Sequence, residues 1–64
     1  MDLRENIKKW RLKRGLTQEG LARKANIPLV TFVKIETGGV TNPRMKTVHA
    51  ISKALGVKLD DLLT

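Results

Sequence analysis

No cysteine occurs in this sequence, so no disulfide can staple the fold and no thiolate can hold a metal. Histidine is nearly absent as well. His49 stands alone, which makes a metal site of the usual nitrogen and sulfur ligands improbable. No apolar run approaches the roughly 18 residues needed to cross a membrane. The opening MDLRENIKKW is too charged for a signal peptide. No alternating strand pattern, internal repeat or low-complexity stretch is present. Acidic residues are scarce: six Asp and Glu stand against thirteen Lys and Arg. The expectation is a soluble, cytoplasmic, all-α chain with no membrane association and no cofactor.

Sixty-four residues correspond to one domain spanning residues 1–64. A chain this short buries only about 60% of the surface its unfolded form exposes, so modest stability is expected. The formal net charge is +7 and is unevenly spread. Residues 1–24 carry eight basic and three acidic side chains, and residues 25–64 carry five and three. A concentrated basic half is the electrostatic footprint of a polyanion binder, although lysine-rich helix faces also serve solubility.

Five short helices follow from the spacing of apolar residues. The first is predicted over Leu3 to Arg14, with Leu3, Ile7 and Trp10 on one stripe and Gly15 past its end. Thr17 is a natural N-cap for a second helix, Gln18 to Ala25, whose Leu21, Ala22 and Ala25 face inward. Pro28 suits the first turn of a third helix ending near Glu36, with Phe32 and Ile35 inside and Gly38 and Gly39 stopping it. Residues 40–43 form a loop. Asn42 then offers a cap and Pro43 a first helical position for a fourth helix to Leu55, with Met45, Val48, Ile51 and Leu55 as its stripe. A fifth helix, Leu59 to Leu63, closes the chain.

The stretch TQEGLARKANIPLVTFVKIET is the most informative. It places two helices around only Asn26 and Ile27, and Asn26 is one of the few residues besides glycine that enters a left-handed turn cheaply. Ala22 is small where two helices must cross. This is the grammar of a helix-turn-helix, whose second helix can lie in the DNA major groove.

With these elements in place, the chain resembles the phage-repressor and Cro-like helix-turn-helix family, the xenobiotic-response-element-type regulators. The matching segments are IKKWRLKRGLTQEGLA, KIETG and NPRMKTVHAISKALGVKLDDLL. The resemblance runs from about Leu3 to Leu63 and implies a compact five-helix lambda-repressor-like domain. It also implies operator binding, usually as a homodimer on double-stranded DNA. Carried over by position, it implies that Gln18 meets a phosphate or base edge and that Thr17 and Thr31 meet phosphate. Leu29, Val30 and Lys34 fall where base edges are reached, and Asn42 and Arg44 where the backbone is gripped. Arg11 and Glu36 match an ion pair linking the first and third helices. The chain departs from the family pattern in three places. Gly20 replaces a capping glutamate, Lys58 replaces a serine-like cap, and apolar Leu29, Val30 and Val33 stand where many relatives are polar.

Those three aliphatics lie off the inward stripe. They can meet thymine methyl groups, form a protein-binding patch of the kind an antitoxin-like adaptor uses, or be ordinary exposed residues. Lys34 can pair with guanine or with phosphate. Arg44 follows Asn42-Pro43 in a loop aimed at the backbone, whereas Arg14 has no assigned role. Trp10 is expected in the core near Leu59, Leu62 or Leu63. His49 and Ser52 lie three apart on one helix, but no orienting acid or oxyanion feature accompanies them. Asp60 and Asp61 are adjacent and point to different faces, and Gly38-Gly39 lacks the spacing of a phosphate-cradling loop. No enzyme is expected.

Overall fold

Asp2 starts the first helix. Its carboxylate accepts the backbone N–H of Arg4 at 2.8 Å and also receives the Arg4 guanidinium, which holds the Asp2 carboxyl below its ordinary range. In the computed structural model, which describes residues 2–40 and 42–64, this helix is α1, Leu3–Lys13. It ends where Gly15 turns left-handed at φ +66°, and the Leu16 N–H returns to the Arg11 carbonyl at 3.0 Å. Thr17 caps α2, Gln18–Ala25, by accepting the Gly20 N–H at 2.9 Å. Thus half of a capping box survives without a glutamate at position 20.

The third helix, α3, spans Leu29–Thr37. Pro28 sits one position earlier than expected, as the extended residue whose carbonyl accepts the Phe32 N–H at 3.0 Å. The fourth, α4, spans Met45–Leu55 and departs further from expectation. Neither Asn42 nor Pro43 begins it. Arg44 takes the extended N-cap conformation with no side-chain cap, and its carbonyl receives the Thr47 and Val48 N–H groups. The loop expected at 40–43 includes residue 41, which lies outside the described residues. The last helix, α5, spans Leu59–Leu63. In place of a serine-like cap, the Asp61 carboxylate accepts the Lys58 N–H at 2.9 Å.

Ile7, Leu21, Phe32, Ile51 and Leu62 meet in the centre, one from each helix, and each is fully buried. Burial of side chains of this size contributes about 1.5–3 kcal/mol apiece. Helix α2 packs on α3 and α4, while α1 packs on α3 and α5. Met45, a member of the stripe expected for α4, stays outside at 56% exposed, and Leu63 at the end of α5 is 46% exposed. Trp10 is half-buried at the rim, with Lys13 and Arg14 over its ring at 5.0 and 5.2 Å from the centroid. The indole therefore supports cations as well as the core.

Helix α1 also carries polar tethers. Asn6, 3% exposed, donates from Nδ2 to the Leu62 carbonyl at 2.9 Å. The Nε of Arg14 donates to the Leu55 carbonyl at 2.9 Å. Each ties α1 to a carbonyl near the end of another helix, where intrahelical partners run out. Arg11 makes the strongest tether. It is 9% exposed and grips Glu36 through two bonds of 2.9 Å, while Nη1 donates to the Leu16 carbonyl at 2.8 Å.

Arg11→Ala should lower stability by about 3–5 kcal/mol, because it strands the buried Glu36 carboxylate. In a domain of this size that is a fall in Tm of more than about 10 °C, measurable by thermal unfolding. An unchanged Tm would show that the pair contributes nothing. Gly20→Glu should raise stability by about 1 kcal/mol through helix propensity and the completed box. The new Cβ would lie 3.1 Å from Thr17 Oγ1, so the cap hydroxyl must shift by a few tenths of an ångström. A chemical-denaturation midpoint below that of the parent would mean that it does not yield.

Candidate nucleic-acid interface

The geometry of α2 and α3 is set by a very short connection. Asn26 adopts φ 59° and ψ 44°, the left-handed conformation, and the Ile27 N–H reaches back to the Ala22 carbonyl at 2.9 Å. Ala22, only 2% exposed, lets the neighbouring helices approach closely. A β-branched or bulky residue at position 26 would be strained in that conformation, whereas asparagine tolerates it.

A polar junction then fixes where α3 lies against α1. Glu36 receives Arg11 on both oxygens, and Gln18 Nε2 adds a bond to Oε1 at 3.1 Å. The Glu36 side chain is 4% exposed, so this is a dry junction joining α1, α2 and α3. The same contact commits one of the two amide N–H groups of Gln18 to the protein. Its second N–H and its carbonyl remain able to meet another group, as donor and acceptor. This partnership between Gln18 and Glu36 was not legible in their sequence separation.

The outward side of α3 stands free of the rest of the chain. Val30 is 66% exposed and Leu29 41%; Lys34 is exposed and Val33 half-buried. Among the described residues, neither Lys34 nor Arg44 has a carboxylate partner. Thr31, Asn42 and Arg44 line one open cleft with Ile35, Val40, Pro43 and Thr47, so the structure brings the loop residues beside α3. Thr17 is exposed at the start of α2, its hydroxyl engaged by Gly20. At the other end of the face, Leu29 shares a shallow groove with Glu19 and Arg23, which pair at 2.9 Å in solvent. Thr47, on the first turn of α4, also borders the cleft with Arg44 and carried no signal in the sequence beyond its place after Pro43.

A helix-turn-helix family model matches residues 7–62, nearly the whole of this five-helix arrangement. The chain belongs to the Cro-like helix-turn-helix family. A protein of Archaeoglobus fulgidus named as an uncharacterized HTH-type transcriptional regulator is 33% identical over 60 residues, covering 94% of this chain and 84% of its own. A similarly named protein of Methanocaldococcus jannaschii is 35% identical over 60 residues, covering 94% and 89%. Among the described residues of this helix-turn-helix chain, no helix is long and apolar enough to cross a membrane.

Gln18→Glu tests the junction. A second carboxylate facing Glu36 should lower stability by about 1–3 kcal/mol near neutral pH. The variant's Tm should fall below that of the parent, and an unchanged Tm would place the two side chains apart.

Proposed function

We propose that this chain binds double-stranded DNA as a small transcriptional regulator, with α3 entering the major groove. Membership of the helix-turn-helix family and relatives named HTH-type transcriptional regulators support the class. The observation that carries it is the outward face of α3, exposed at Leu29, Val30 and Lys34 and bordered by cations without carboxylate partners. In this arrangement Thr17, Gln18 and the free N–H groups at the start of α2 meet phosphate, where a helix dipole favours negative charge. Thr31, Asn42 and Arg44, drawn together around one cleft, hold the sugar-phosphate backbone on the other side of the groove.

Phosphate contacts by lysine and arginine release counterions and supply much of the affinity, so binding weakens steeply with salt. A domain of this size holds a half-site weakly. A homodimer reading two half-sites about 34 Å apart gives useful specificity.

Titration of labelled duplex DNA by fluorescence anisotropy at several salt concentrations tests the proposal. The expected log–log slope is several units, and Lys34→Ala and Arg44→Ala should each reduce it by about 1 without altering Tm. Little binding at any salt would reject DNA as the ligand and leave the apolar face of α3 to a protein partner.

A further inference from the structure

We infer that α3 distinguishes sequences chiefly by the C5-methyl groups of thymine, touched by Leu29, Val30 and Val33, rather than by hydrogen bonds to base edges. This inference rests on the DNA-binding proposal above and specifies what that face reads.

Arginine and lysine pair bidentately with guanine in the major groove, and asparagine and glutamine with adenine; of these four types α3 contains only one residue, Lys34. Two of the polar groups it does contain are committed. Glu36 is held by Arg11, and the Thr37 hydroxyl donates to the Val33 carbonyl at 2.7 Å. Thr31 borders the cleft shared with Arg44 and Thr47. Gln18, on α2, has given one of its two amide N–H groups to Glu36. Lys34 alone is left on the exposed side of α3 as a charged donor, and it can meet phosphate as readily as guanine.

Three aliphatic side chains are what the face offers instead. The major groove has one apolar feature, the thymine methyl, and it distinguishes A·T from T·A and from both G·C orientations. Val30 and Val33 are stiff at χ1, so they lose little freedom on being fixed against a methyl. Charge complementarity selects DNA over a second copy of this chain as the occupant. Two copies meeting on this face would bring Lys34 and Arg44 against their equivalents, on bodies of net charge +7 each. A polyanion bearing methyl groups satisfies both the cations and the aliphatics.

The test replaces thymidine by deoxyuridine, which pairs identically with adenine and lacks only the methyl. The tightest duplex recovered from a random-sequence pool is resynthesised in the uracil form, and affinities for both forms are measured. The parent should bind the uracil duplex roughly fourfold more weakly for each methyl contacted, from the transfer value of one carbon. Val30→Ala and Leu29→Ala, both at exposed positions, should shrink that preference, whereas Lys34→Ala should weaken both duplexes equally. Equal affinity of the parent for both forms would overturn methyl readout while leaving DNA binding intact. Failure to bind any duplex would sink the DNA proposal and this inference together. A thymine preference undiminished in both aliphatic variants would show that these residues do not make the contact.

Discussion

The buried pair between Arg11 and Glu36 is the constraint on which the placement of α3 depends. A carboxylate 4% exposed is costly unless its lone pairs are met, and here the guanidinium occupies both oxygens while Gln18 adds a third bond. Arg11 in turn reaches the Leu16 carbonyl, just before α2 begins. One charged junction thereby fixes α1, the connection after it, the start of α2 and the end of α3. Apolar packing around Phe32 and Ile35 is non-directional, whereas bidentate hydrogen bonding fixes an orientation. The angle at which Val30 and Lys34 are presented to solvent follows from that lock.

Helix α1 is consequently both a wall of the core and a scaffold of tethers. Ile7 fills the centre, while Asn6 and Arg14 reach carbonyls near the ends of α5 and α4. In a chain without disulfides these bonds supply positional definition that a small core lacks. They also give Arg14 a role within the protein, where it bridges the Trp10 ring and the Leu55 carbonyl.

Helix boundaries were legible wherever a residue type has one conformational reason to be there. Thr17, Asn26 and Gly15 mark their turns in the sequence as they do in space. Asn42-Pro43 misled, because a good cap followed by proline looks like a helix start, yet the chain remains extended through Arg44. That delay leaves Met45 in the first turn, away from the core it was expected to join. The tethers were invisible for a different reason. Asn6 and Leu62 are 56 positions apart, Arg14 and Leu55 are 41 apart, and no local pattern announces a bond from a side chain to a distant carbonyl. The outward face of α3 was legible because helical periodicity alone places Leu29, Val30 and Val33 off the Phe32–Ile35 stripe.

Most of the few carboxylates are consumed by the architecture. Asp2 and Asp61 cap helices, Glu36 serves Arg11, and Glu19 pairs with Arg23. The remaining cations share a body only 24 × 23 × 18 Å in extent and repel one another where they lie within a Debye length, about 10 Å at moderate ionic strength. Added electrolyte screens that repulsion and favours the folded monomer, while the same ions compete for any polyanion it holds. Folding and nucleic-acid capture thus pull in opposite directions on the ionic-strength axis, and a bound duplex would itself supply the counter-charge that the isolated domain lacks.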